Sequence, residues 1–276
     1  MLKRIITGAC YATAITAMFL LREFVDYRIF PLLLVVFASV GTFELARALK
    51  GWLVKGNYYC LIIYGIVLVP LYWVLQYLAG GFGFLTAILS CVCALVFVIY
   101  SAVCKKDVKL ALANALGYLY PAVFILSMLL ANDLGQNKGF IALLLPFVVS
   151  ALSDTFAFFT GSLIGGKKLC PKLSPKKTWS GAIGGTVGGA VGSLIIYFVF
   201  NNKIAVNFFS PIVLFIAFGV IASVLTIIGD LFESFIKRKV GIKDMGNILP
   251  GHGGVLDRID GTSFVALFSY LVFLIV

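Results

Sequence analysis

Between residues 234 and 260 the chain reads S-F-I-K-R-K-V-G-I-K-D-M-G-N-I-L-P-G-H-G-G-V-L-D-R-I-D, which gathers five basic residues, three aspartates and the sole histidine of the sequence. Polyphosphate chemistry needs that mixture: carboxylate oxygens for a divalent cation and fixed positive charge for phosphate. Asp257 and Asp260 stand three apart, so on the opening turn of a helix they share a face and suit magnesium. The alternative is a pair of helix-start acids that complement the macrodipole. Gly251, Gly253 and Gly254 flank His252; backbone N–H groups in such a turn can hold an anion, although glycines before a helix are also ordinary punctuation. His252 reads as a phosphate contact or a general acid, against the plainer role of a hydrogen-bonding histidine.

Two upstream stretches carry related residue types. In S-D-T-F-A-F-F-T-G, Asp154 sits inside an apolar run, where a carboxylate costs roughly 2.5 to 3.5 kcal/mol on insertion scales and must face protein, metal or water. Ser150, Asp154, Ala157 and Gly161 fall on one helical face, a small and polar stripe suited to a hydrated cleft. The loop K-K-L-C-P-K-L-S-P-K-K-T-W-S-G then presents Lys167, Lys168, Lys172, Lys176 and Lys177 with no acid among them. These lysines either bind phosphate or only fix topology. Gly161 to Lys168 nearly spells a phosphate-binding P-loop, but Lys168 replaces the hydroxyl residue and a lipid-spanning helix precedes it, so that reading fails. Further on, Asp230, Glu233, Ser234 and Lys237 follow one another at helical spacing and are presented together.

The elements that position these groups are membrane helices. A chain of 276 residues that is 62% hydrophobic and 12% charged has too much apolar surface for one soluble core. A bilayer core of roughly 30 Å needs about 20 apolar residues per helix. Nine runs approach that length: 5 to 21, 29 to 49, 58 to 79, 82 to 104, 110 to 131, 140 to 164, 182 to 200, 208 to 229 and 261 to 276. The expected fold is an all-α, polytopic integral membrane protein of about nine transmembrane helices, one domain over 1–276 with its chemistry concentrated in 150–261.

Charge supports that count. The N-terminus and the even-numbered loops hold eighteen of the lysines and arginines, the odd loops only Arg22, Arg28, Lys138 and Lys203. By the positive-inside rule the N-terminus and the motif-bearing loops are cytoplasmic and the C-terminus external. The net charge of +11 is dispersed in short clusters between apolar runs, which points to anionic headgroups and polyphosphates and away from nucleic acid. Lys3 and Arg4 before an apolar run, with A-x-A at Ala12 to Ala14, mimic a signal peptide, but the triplet falls too early in the run; an uncleaved first span is expected. The six cysteines form no C-x-x-C pair and imply neither a disulfide framework nor a zinc site. Two small-residue ladders, Gly181/Gly185/Gly189 and Gly184/Gly188/Gly192, let helix backbones approach closely.

Three stretches, Asp154 to Gly161, Ser174 to Gly181 and Gly229 to Asp260, resemble in order and spacing the phosphatidate cytidylyltransferase family, the last one without interruption from Ser234. The resemblance implies transfer of the cytidylyl group of CTP to phosphatidate, giving CDP-diacylglycerol and pyrophosphate. It implies catalytic roles for Asp230, Lys243, Asp244, His252 and Arg258, and phosphate binding by Lys176, Lys177, Lys237, Arg238, Gly253 and Gly254. Asp154, Asp230, Asp257 and Asp260 would hold Mg2+, as one ion or as a two-metal site. CTP, phosphatidate and membrane lipids are the implied partners, with a homodimer and no nucleic acid, and Trp179 could stack on a base. The absence of a hydrophilic N-terminal extension leads to the expectation of a bacterial plasma membrane and not an endoplasmic reticulum. One departure is Ser180, where family members often carry glutamate; Glu233 is the expected substitute. A CTP-dependent polyprenol or dolichol kinase is the alternative enzyme. A transporter would explain Asp154 but not the K-D and H-G-G-x-x-D-R-x-D clusters.

Overall fold

The computed structural model describes residues 2–203, 210–251 and 253–276. Nine α-helices run along the described chain: α1 (Leu2–Phe24), α2 (Pro31–Ala48), α3 (Lys55–Trp73), α4 (Leu85–Ile99), α5 (Val108–Asn132), α6 (Gln136–Leu163), α7 (Trp179–Phe200), α8 (Pro211–Lys239) and α9 (Leu256–Ile275). Eight of them, α2 to α9, are long and apolar enough to cross a membrane. Helix α1 coincides with the first expected run but is not among the eight. The fold is therefore all-α and polytopic, and large apolar side chains such as Ile63, Phe158 and Leu163 lie on its surface, as lipid as a solvent permits.

Helix ends differ from the apolar runs for identifiable reasons. Helix α8 continues past the apolar limit at 229 to Lys239 because its extension is amphipathic: Ile236 is buried, Glu233 pairs with Lys237 four residues on, and Lys237, Arg238 and Lys239 fall in the last turn. Cations there complement the C-terminal partial charge. Helix α9 opens at Leu256 and not at 261, its first turn being organised by polar groups that hydropathy does not weigh.

The lysine-rich stretch expected as loop is a small antiparallel hairpin of β1 (Lys168–Cys170) and β2 (Ser174–Thr178), with Lys168 opposite Thr178 and Cys170 opposite Ser174. Beyond it Trp179 donates its N–H to the Lys167 carbonyl at 3.0 Å, and the Thr178 hydroxyl accepts the Gly181 N–H at 3.1 Å as the N-cap of α7.

The chain divides into two compact units. The first takes the chain up to Leu130 together with Val240–Arg258; the second comprises Ala131–Lys239 and Ile259–Val276. In the first, Ala46, Leu61, Ala94 and Tyr118 form a buried cluster, with the Phe97 ring stacked on Tyr118 at 4.9 Å. A buried polar chain runs beside it: Asn57 Nδ2 donates to Asn114 Oδ1 at 3.2 Å, and Asn114 Nδ2 to Ser101 Oγ at 2.8 Å. In the second unit the glycine ladders do pack closely. A side chain at Gly188 would meet Leu152 and Phe156 of α6, and one at Gly189 would meet Ser223 and Gly219 of α8. Helix α9 is tied to α6 by the Ser269 hydroxyl, which donates to the Ala142 carbonyl at 2.7 Å.

Candidate active site

The second unit brings together most of the carboxylates that spacing singled out. Gly229 is why: a Cβ there would lie 2.6 Å from the Asp260 carbonyl, so α8 and α9 touch backbone to backbone where Asp230 and Asp260 project. Asp260 interacts electrostatically with Asp230, Lys237 and Asp154, and its Oδ1 accepts its neighbour's N–H, that of Gly261, at 2.7 Å. Lys177, delivered by β2, sets its ammonium 2.5 Å from Asp230 Oδ2. Glu233 is wholly buried and accepts from Lys237 at 3.0 Å. Carboxylates outnumber ammonium groups in this cluster, so it carries a net demand for positive charge in a setting where charge is poorly screened.

Beside the cluster lies a cavity of about 280 Å³, lined by the polar residues Asp154, Lys176, Lys177 and Thr178 and by the apolar residues Phe158, Leu169 and Ile227 among others. Its two characters, charged and apolar, suit an amphipathic ligand. Ser150 belongs to the same face of α6 as Asp154 but hydrogen-bonds Thr226 of α8 at 3.1 Å; it serves helix packing. Ser180 donates its hydroxyl to the Gly165 carbonyl and meets Thr178 Oγ1 at 3.0 Å, so it closes the segment around the hairpin, while Glu233 has Lys237 as its partner.

Among the described residues no group of three or more His, Cys, Asp or Glu side chains stands in metal-holding geometry. The donor set nevertheless fits magnesium. Oxygen ligands from Asp154, Asp230 and Asp260 suit a hard cation that completes its shell with water and phosphate oxygens and does not require an all-protein cage. Asp257, on the first turn of α9, is engaged by backbone. Its Oδ2 accepts the N–H of Met245 at 2.9 Å and of Gly254 at 2.8 Å. It staples the 245–254 segment to the start of α9, and the Gly254 N–H expected to face an anion is committed to it.

The rest of the signature segment shapes a polar hollow of about 620 Å³ in the first unit, lined by Lys243, Asp244, Asn247, Gly253 and Arg258 among others. Leu249 and Gly253 pair across an isolated bridge, Gly253 at φ +86, a conformation that favours glycine. Arg238 lies exposed in the last turn of α8. His252 lies outside the described residues. Sequence reasoning missed Glu44 and Arg47 as members of this region. Glu44 accepts the N–H groups of Val255 and Leu256 at 3.2 and 3.0 Å, and Arg47 donates to the Met245 carbonyl at 3.2 Å. The available signal was an acid inside an apolar run, the same that marked Asp154.

The model of the cytidylyltransferase family matches residues 2–276. Over 224 residues the chain is 33% identical to a phosphatidate cytidylyltransferase of Rickettsia conorii, covering 79% of this chain and 92% of that protein. A phosphatidate cytidylyltransferase of Thermotoga maritima is 36% identical over 181 residues, 64% of this chain and 65% of its own length. One from Brucella suis is 41% identical over 158 residues, 57% and 55% of the two chains. The chain thus spans from about half to nearly all of the length of these relatives.

Proposed function

Because the chain belongs to the cytidylyltransferase family, we propose that it carries out the reaction for which these relatives are named, transfer of the cytidylyl group of CTP to phosphatidate. A phosphate oxygen of phosphatidate attacks the α-phosphorus of CTP, the bond from that phosphorus to the bridging oxygen breaks, and pyrophosphate leaves with its electron pair. CDP-diacylglycerol remains. The observation that carries this reading is a largely apolar cavity that also presents Asp154, Lys176 and Lys177, the last of them paired with Asp230. A water-soluble nucleotide alone would not call for its apolar wall.

A lipid phosphate is already ionised at neutral pH, so no strong base is needed; two anions must be brought together and the spreading charge stabilised. We assign Lys176 and Lys177 to the lipid phosphate, with Phe158, Leu169 and Ile227 against its glycerol and acyl portions. Lys177 leaves Asp230 as the phosphate enters. Lys237 and Arg238 add positive charge at the end of α8, and Lys243 and Arg258 hold nucleotide phosphates in the polar hollow, where Asp244 orients the cations. Asp154, Asp230 and Asp260 would hold magnesium, which when bound would supply concentrated positive charge to phosphate oxygens. His252 contributes a proton or a phosphate contact. Trp179, 57% exposed at the start of α7, offers a face for cytosine. The site opens to the cytoplasm of a bacterium whose plasma membrane holds the protein, as a homodimer.

The test follows label from CTP into lipid. Purified protein with magnesium, phosphatidate and CTP labelled at the α- or the γ-phosphate is expected to place only α-label in lipid, in a phosphatidate-dependent way, with γ-label leaving as pyrophosphate. With polyprenol in parallel, γ-label in lipid and release of CDP would establish the kinase instead. No label in lipid from folded, metal-supplied protein would overturn the enzymatic reading.

A further inference from the structure

The signature segment owes its shape to a residue about two hundred positions away. Glu44, in the last turns of α2, is 0% exposed, yet it is an ionisable group inside a membrane-spanning helix. Both its oxygens are occupied: Oε1 accepts the N–H of Val255 at 3.2 Å and Oε2 that of Leu256 at 3.0 Å. These N–H groups at the opening of α9 have no intrahelical partner, and charge there is complemented by an anion. The segment is built to admit the carboxylate. A Cβ at Gly246 or at Gly254 would collide with it. On the next turn of α2, Arg47 holds the Met245 carbonyl at 3.2 Å, while Asp257 holds the Met245 and Gly254 N–H groups. Helix α2 therefore fixes Met245 and the opening of α9, next to Lys243, Asp244 and Arg258 of the polar hollow.

We propose that Glu44 is a positioning residue for nucleotide binding: it touches no substrate but holds the 245–256 backbone in the form that presents the cations of the hollow. The substrate part rests on the cytidylyl-transfer reading; the backbone part does not. Losing Glu44 is expected to weaken CTP binding while leaving the acids of the second unit intact. A merely stabilising residue would instead lower the amount of active protein, and with it apparent kcat, without moving KM.

Glu44→Gln is the conservative variant, because an amide supplies one acceptor in place of two and presents a donor to a backbone N–H. Leu45→Ala, which removes a neighbouring fully buried apolar side chain and leaves the Glu44 carboxylate in place, controls for general destabilisation. Hydrogen exchange in the full-length protein should show amides of Val255 and Leu256 exchanging at least about tenfold faster in Glu44→Gln, from the loss of bonds to a charged acceptor, and not in Leu45→Ala. KM for CTP should rise about tenfold or more with kcat within about threefold of wild type, as expected when ground-state binding is lost. Gly254→Ala should be damaging alone and add little to Glu44→Ala, since the clash disappears with the carboxylate. Unchanged exchange at Val255 and Leu256, or the same exchange pattern in Leu45→Ala, overturns the positioning role. Lowered kcat at constant KM overturns its link to CTP. If wild type fails to turn over CTP, the cytidylyl-transfer reading falls and exchange alone decides the role of Glu44.

Discussion

Two sets of buried or half-buried acids differ in their partners. Glu44 and Asp257 in the first unit accept backbone N–H groups at 2.8 to 3.2 Å, from donors that cannot move away. Asp230 and Asp260 in the second unit meet other carboxylates and a lysine side chain that can. A carboxylate satisfied by fixed backbone is scaffold, because its charge is already spent locally. Carboxylates gathered against one another, with removable ammonium partners, store an electrostatic demand that a cation and a charged substrate can meet.

The largest break in that contrast should come from Asp260→Asn and Asp230→Asn. Each is expected to lower turnover by about a thousandfold or more while the protein inserts and purifies normally, since charge stabilisation specific to the reacting complex is lost. Activity in the wild type should require magnesium or manganese; near wild-type rates in either variant would remove that aspartate from the site. Next comes Lys177→Gln, expected to cost about a hundredfold in kcat/KM for phosphatidate, as an ammonium aimed at phosphate is replaced by a neutral group. An equal loss toward CTP with none toward phosphatidate would reassign the lysine.

Asp257→Asn should be milder, about tenfold and chiefly in KM for CTP, because an amide oxygen in the place of Oδ2 still accepts both N–H groups and only the charge is lost. A loss as deep as that of Asp260→Asn would move Asp257 from the scaffold to the metal site. The smallest effect is expected at Ser180→Glu. Its hydroxyl closes the Gly165 carbonyl and Glu233 has its own partner, so the double change with Glu233→Gln should be additive within about 0.5 kcal/mol. Marked non-additivity in measured turnover would show that the two positions share one task.

The helices were legible from apolar run length, and their small-residue contacts from the spacing of Gly184, Gly188 and Gly189, because lipid leaves few other ways to satisfy a backbone. The β1–β2 hairpin was not. Lysines and prolines give it no alternation of apolar side chains, and it is held by backbone pairing and by the Thr178 and Ser180 hydroxyls. Of the candidate site, spacing singled out Asp154, Asp230 and Asp260, whose charges interact, and Gly229 beside Asp230 was the visible reason that α8 and α9 approach there. That Asp257 accepts the N–H groups of Met245 and Gly254 was hidden, since a helical spacing of three puts two acids on one face without saying what each one finds there. Glu44 was hidden for another reason: its partners are backbone amides more than two hundred residues downstream, and an amide leaves no mark in the sequence.

The central claim is that the Asp230/Asp260 cluster performs the chemistry while Glu44 only shapes the binding segment. Single-turnover transfer of α-labelled cytidylate to phosphatidate at saturating CTP tests it most directly. Glu44→Gln should then approach the wild-type rate, and Asp260→Asn should remain about a thousandfold below it. A Glu44→Gln enzyme as slow as Asp260→Asn at saturation, or an Asp260→Asn enzyme restored by excess CTP, would contradict the division.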